Sequence, residues 1–260
     1  ATLDDLSLWM RHYRHKHGRW GLAQIHWLRN HILGDLLRVG RLQFMPIRWN
    51  NGFSAYMHQS THDVCTLAAP ETAYRNDGYP DGVNGVFDPY PWRSVVRHET
   101  NAVVGNPIAA NGCARRATVR LMLDAWHPML SNGDDVLDVH IPAEQPLDPA
   151  ACRQSLDDGL ALLQTLYPAQ TFRAFVCCSW LLDSQLAALL PPSANIVRFQ
   201  RMFRLYPSSH GEVQTFERVF GCTPGAAAAL PTATRLQQAC AQHIRRGGRF
   251  YEGGGYILIN

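Results

Sequence analysis

The order of apolar and polar positions divides this chain into helices, then strands and loops, then strands that alternate with helices. Leu3, Leu6, Met10 and Tyr13 recur at helical spacing up to Gly18, and Thr2 with Asp5 three residues on matches a capping box, so a helix opens the chain. Leu22, Ile25, Leu28, Ile32 and Leu36 share one face of a second helix, with Gly40 placed to end it. Arg41-Leu42-Gln43-Phe44 alternates like a strand. Residues 50–117 are so rich in Gly, Pro, Asn and Asp that they predict irregular sheet and long loops, with 92–104 the best strand material.

The second half is more regular. Val119, Leu121 and Leu123 form one apolar strand face, and residues 136–140 are the next strand. Asp148 then caps a helix with Pro149 at its first position, and Cys152, Leu156, Leu160, Leu163 and Tyr167 make its inward stripe. A strand over 172–178 leads into a helix that ends at Pro191-Pro192. Residues 196–206 read as a long strand, with Val197, Phe199, Phe203 and Leu205 on one side. A short helix around Phe216, a helix over 234–246 stopped by Gly247-Gly248, and a strand over 256–259 complete the order, with Gly253, Gly254 and Gly255 turning a hairpin. No repeat or linker stands out; the alanines at 226–229 come nearest. The class is α/β (α+β): a mixed central sheet flanked by helices, behind two N-terminal helices.

Composition narrows the partners. With 260 residues, 46% of them hydrophobic and 10% aromatic, the chain fills a large core, which excludes disorder. The formal charge is only +3, and the 24 basic residues are arginines scattered singly, except for Lys16. No basic face accumulates, so nucleic acid is not an expected partner. Seven cysteines spread from Cys65 to Cys240 do not read as a disulfide framework, and a reducing cytoplasm is expected. No apolar run approaches the roughly 18 residues of a membrane span, and the first residues lack a signal peptide's basic and apolar regions, so no membrane partner is expected. The chain starts without Met at a helix cap, which predicts that an upstream segment has been removed.

Two strand exits carry the candidate chemistry. One is Val136-Leu137-Asp138-Val139-His140-Ile141-Pro142; the other runs through Cys177-Cys178 into Ser179-Trp180-Leu181-Leu182-Asp183. Both are expected at the carboxyl edge of a sheet, where open α/β folds build their crevices. His140 there can serve as a general base or hold a carbonyl; otherwise it is bonded into a loop. Alternation turns Cys177 and Cys178 to opposite faces, so at most one enters a given crevice, and either is otherwise a small buried apolar residue. Ser179 reads as a substrate-facing donor or a helix cap, and Trp180 as core or as a ligand contact. His12, His15, His17, His26 and His31 read as a solvated helix face. His58 and His62 have the spacing of a helical metal pair, followed by Asp63 and Cys65, but the segment does not read as a helix, and no metal is expected.

The element order is close to that of the GNAT acyltransferase fold. Gly40-Arg41-Leu42-Gln43-Phe44, residues 136–142 and 147–155, and the run from Cys177 through Asp183 with Gln185-Leu186 resemble the bacterial two-part acyltransferase family, which joins a helical N-terminal N-acyltransferase domain to a GNAT-like C-terminal domain. The likeness covers nearly the whole chain. It implies that residues 1–260 are mainly the GNAT-like part, one unit with a helical lead-in over 1–40, strands and loops over 41–135 and the alternating half over 136–260, the helical domain lying upstream. It implies transfer of an acyl group from acyl-CoA, or from the phosphopantetheine arm of an acyl-carrier protein, to a small-molecule or peptide amine. His140 would be the base, and Ser179, Cys177 or Cys178 would protonate the leaving thiolate. The donor would lie against Ile141, Pro142, Ala150, Ala151, Arg153 and Trp180.

One departure from the wider superfamily matters. Its pyrophosphate loop, Q/R-x-x-G-x-G/A, is replaced here by residues 141–151, which hold no glycine, two acids and three prolines that remove backbone donors. A weak grip on free coenzyme A is therefore expected, with Arg153 able to restore a positive contact. Two other readings use the same residues. In one, a cysteine is the nucleophile of an acyl-enzyme transferase or hydrolase, with His140 as base and Asp138, on the same strand face, as its orienter. In the other, a non-catalytic GNAT-like scaffold binds a carrier protein or peptide through the loops of 50–117.

Overall fold

The computed structural model describes residues 4–22, 25–142, 145–225 and 230–259. The expected cap at Thr2 and Leu3, Ala143 and Glu144 of the donor loop, and the alanine run 226–229 lie outside the described residues. Helices α1 (Asp4–His17) and α2 (Ile25–Leu33) lead in. Gly34, at φ 79°, follows α2, so the helix stops nearly two turns earlier than Gly40 predicted. Gly40, at φ 58°, instead turns β1 (Leu37–Val39) back onto β2 (Leu42–Arg48), with Val39 opposite Leu42.

Eight short strands follow: β3 (Ser54–His58), β4 (Val64–Leu67), β5 (Ala73–Tyr74), β6 (Trp92–Arg93), β7 (Val96–His98), β8 (Ala102–Gly105), β9 (Val119–Met122) and β10 (Trp126–Leu130). They form three small antiparallel sheets, β10-β3-β4, β5-β6 and β7-β8-β9, in line with the loop-rich reading of 50–117. The alternating half contains β11 (Asp135–His140), α3 (Pro149–Leu166), β12 (Phe172–Ser179), α4 (Leu186–Leu189), α5 (Asn195–Gln200), β13 (Arg204–Pro207), α6 (Val213–Thr215), α7 (Arg235–Arg245) and β14 (Gly253–Leu258). The main sheet has the order β1-β2-β11-β12-β14-β13, and within it β11 and β12 are the parallel pair.

Each face of this sheet has its own core. On one, Leu42, Phe44, Leu137, Val139, Phe175 and Cys177 pack against Cys152, Leu156 and Leu163 of α3. On the other, Val136, Ala174, Val176 and Tyr256 meet Trp49, Phe53, Trp92 and Leu130 beneath the small sheets. The period-two pattern of β11 and β12 thus serves two apolar cores at once, and the side chains of 138, 140 and 178 fall on the side away from α3. Among the described residues no helix is long and apolar enough to cross a membrane.

Four expectations need correction. Residues 196–206 are a short helix followed by a strand: α5 is pinned because the buried Gln200 amide donates to the carbonyls of Leu181 (2.8 Å) and Asp183 (2.6 Å), tertiary bonds that a four-residue alternation cannot foretell. The expected helix over 181–190 breaks after a single 3-10 turn, Trp180–Leu182, because the Asp183 carboxylate accepts from the Gln185 amide in a local turn. Gly253, Gly254 and Gly255 lie within β14, where a Cβ on Gly254 would strike the Tyr206 ring and one on Gly253 the Leu182 carbonyl. Their role is close approach, not a turn. His31 is 5% exposed, its ring edge-on to Trp27, whereas His15 and His17 are exposed as expected.

Candidate active site

The parallel pairing of β11 with β12 runs from Asp135↔Phe172 to Asp138↔Val176 and stops there. Beyond that point β11 stays with β2 as far as His140↔Gln43, and β12 stays with β14 as far as Ser179↔Gly253. The main sheet therefore parts between the carboxyl ends of its two middle strands, and among the described residues Val139, His140 and residues 177–179 pair with no strand across the gap. Such an edge can hydrogen-bond an extended ligand arm or a carbonyl oxygen.

At the mouth, Nε2 of His140 lies 3.1 Å from Oδ2 of Asp138, with both side chains about a quarter exposed. Strand alternation sets the two residues on one face. Nε2 is buried and makes no hydrogen bond in this arrangement, although the carboxylate lies within reach. The indole of Trp27 packs edge-on against the imidazole at 4.6 Å, so α2, far away in sequence, helps to fix the ring. A small turn of either side chain that lets Nε2–H donate to Asp138 would leave Nδ1 free to take a proton.

The end of β12 separates the other candidates. Cys177 is 2% exposed, lies in the core against α3, and burial raises its thiol well above the ordinary range. Ser179 is buried and its Oγ accepts from the Leu181 amide at 3.2 Å, a cap that begins the 3-10 turn. Trp180 packs against the separate core of Leu186, Phe216 and Phe220. Cys178 alone of these faces the open side. Burial, then the charges of Glu252 and Asp138, push its thiol up to about 11 against the opposing pull of the Ser208 hydroxyl. Its Sγ lies 3.8 Å from Nδ1 of His210 and 3.6 Å from Oγ of Ser208. His210 and Ser208, reached only through the β13–β14 pairing, gave no signal in the sequence.

The start of α3 is closed up by its own chain. Asp148 Oδ2 accepts from the Ala151 amide (2.9 Å), and the Cys152 amide donates to the Asp148 carbonyl (2.9 Å), as the capping reading expects. Pro149 has no amide hydrogen, so Ala150 is left as the free donor of this turn. The buried Arg41 guanidinium donates to the carbonyls of Gln145 (2.8 Å) and Pro146 (2.9 Å), and its amide donates to Ser155 Oγ (2.7 Å). Ile141 packs at the edge of the α3 core, Pro142 is buried, and Ala150, Ala151 and Arg153 are exposed on the outer side of the helix start.

Comparison with known proteins adds to this geometry. A family model of the GNAT-like C-terminal domain matches residues 36–257, and one of the N-acyltransferase N-terminal domain matches residues 1–34. No curated protein matches the chain. Among solved structures it is similar to an acyltransferase in complex with decanoyl-CoA and teicoplanin, at TM-score 0.60 and 21% identity over 100% of this chain and 57% of that one. An acyltransferase in complex with decanoyl-CoA matches at TM-score 0.60 and 22% identity, and one in complex with CoA and 10C-teicoplanin at 0.60 and 20%, each with the same coverage. The chain thus spans little more than half the length of the structures it resembles.

Proposed function

Because the chain belongs to the family of GNAT-like C-terminal domains, we propose that it transfers an acyl group from a thioester to an amine by direct attack, in the opening between β11 and β12. The observation that carries this reading is the divergence of the two strands past Asp138↔Val176 with the Asp138–His140 pair at its mouth. The thioester lies between the strand ends, its carbonyl oxygen facing a free strand amide. The amine nitrogen attacks the carbonyl carbon, Nδ1 of His140 takes the N–H proton, and the imidazolium is stabilised by Asp138. Collapse of the tetrahedral intermediate breaks the C–S bond and leaves an amide and a thiolate. An aliphatic thiol ionises near pH 8.5, so this leaving group departs without an obligatory acid. Neither Ser179, spent as a cap, nor Cys177, in the core, is needed for that step.

The donor is an acyl thioester of coenzyme A or of the same phosphopantetheine arm on a carrier protein, resting along Ile141, Pro142 and the exposed Ala150, Ala151 and Arg153. The solved relatives hold decanoyl-CoA and teicoplanin, which supports an acyl-CoA donor and a sizeable acceptor. The chain acts as one unit over 1–260, its N-terminal helices contributing Trp27 to the wall of the site. A covalent cysteine route has less support: burial pushes the Cys178 thiol up to about 11, which disfavours the nucleophilic thiolate at neutral pH. The test is amide formation followed by mass spectrometry with acyl-CoA donors of graded chain length and a panel of amines. Amine-dependent product is expected, and thioester hydrolysis alone or no turnover with any pair would reject the reading.

A further inference from the structure

Three residues far apart in sequence converge beside the opening. Cys178 comes from the end of β12, His210 from the segment after β13, and Glu252 from the position before β14. One ligand atom from each lies within 4.8 Å of the other two. Sγ of Cys178 and Nδ1 of His210 are 3.8 Å apart. A thiolate and an imidazole on a tetrahedral zinc ion sit about 3.6 Å from one another, from bond lengths of about 2.3 and 2.0–2.1 Å, so this pair already lies near ligand spacing.

Part of a supporting shell is in place. Gln214 Nε2 donates to Glu252 Oε2 at 3.1 Å, whereas Ser208 Oγ, 2.8 Å from Nδ1 of His210, holds the nitrogen a metal takes and must turn aside when the ion binds. Glu252 is 6% exposed, yet no arginine or lysine among the described residues forms an ion pair with its carboxylate. A nearly buried carboxylate without a cation is costly, and here it points toward a thiol and an imidazole. Magnesium and calcium prefer all-oxygen shells, whereas sulfur, nitrogen and oxygen together suit a borderline-soft ion.

We propose that Cys178, His210 and Glu252 bind one zinc-class divalent cation, with a fourth position open to solvent on the side where Cys178 and His210 are exposed. The Sγ–H proton passes to the buffer as the metal–sulfur bond forms, and the ion ties the end of β12 to the segment after β13 and to the start of β14. His58 and His62 have the spacing of a helical metal pair, but the segment is not a helix: His58 ends β3 and His62 sits in a turn at φ 58°. The convergent group is a different one.

The test uses the purified chain, stripped of metal with a chelator and titrated with zinc against a chromophoric competitor. One zinc per chain is expected, with binding weakened at least about 100-fold in both Cys178→Ser and His210→Ala and unchanged in Cys222→Ser. Cobalt in place of zinc should give a sulfur-to-metal charge-transfer band that Cys178→Ser abolishes. Because His210 is exposed, His210→Ala keeps the test decisive should the Cys178 variant misfold. Failure to bind zinc stoichiometrically, or affinity unchanged from the parent chain in both ligand variants, overturns the proposal. Neither readout depends on acyl transfer, so the site stands or falls apart from that activity.

Discussion

Replacing His140 by Ala tests the transfer mechanism most directly, and its partner Asp138 makes the expected size calculable. Removal of a general base lowers the rate by about 10² to 10⁴, or about 3 to 5.5 kcal/mol of barrier. Asp138 acts only through the imidazole. At 3.1 Å, with both side chains about a quarter exposed, its attraction for an imidazolium belongs near the solvent-screened limit, about 1 to 2 kcal/mol. Asp138→Asn should therefore slow transfer about 5- to 30-fold, and the double variant should be no slower than His140→Ala alone, because the carboxylate has nothing left to orient. Single-turnover amide formation at saturating amine, measured by mass spectrometry, reads the chemical step, and circular dichroism checks that loss of the Trp27 contact has not unfolded the chain. Two results would refute the reasoning: His140→Ala within a factor of about three of the parent, or losses in the two single variants that add in full in the double.

Three further outcomes are expected. Free acetyl-CoA should bind weakly in calorimetric titration, because Asp148 occupies the Ala151 amide and Pro149 has none to offer; a sub-micromolar Kd would show that the start of α3 has been misread. Gly159→Ala should lower Tm although alanine favours a helix by about 1 kcal/mol, since the new Cβ would lie 2.6 Å from Phe44 Cε2, and overpacking costs about 1 to 3 kcal/mol; a raised Tm contradicts this packing. Burial pushes the Asp183 carboxyl up to about 6, against the pull of the Tyr251 and Gln185 amides, so the folded state holds this proton more tightly than the unfolded one. The group's contribution to stability is therefore fullest below about pH 4 and falls as pH rises to 6, by about 3 kcal/mol, and urea denaturation at pH 4.5 and 7 should show Asp183→Asn gaining on the parent across that interval.

Local chemistry was enough to reveal the elements that depend on neighbouring residues. Asp148 and Pro149 announced α3, Thr234 and Gln237 close the capping box of α7, and the two apolar runs at 136–140 and 172–178 became the adjacent parallel strands. Alternation alone also put Asp138 with His140 on one face and parted Cys177 from Cys178. What failed were patterns that two structures share: the alternation over 196–206 fits a helix as readily as a strand once Gln200 finds the carbonyls of Leu181 and Asp183, and a glycine run marks close approach as often as a turn.

The sequence by itself thus determined the mixed α/β class, the order of the central elements and the strand exit that carries His140, because caps, periods and face alternation are set within a few residues. Only the tertiary structure decided where β11 and β12 part, that Trp27 of α2 closes on His140, and that Cys178 meets His210 and Glu252 rather than His140. Those facts depend on contacts between residues 30 to more than 100 positions apart, which follow from how two cores pack on one sheet and leave no periodic trace along the chain.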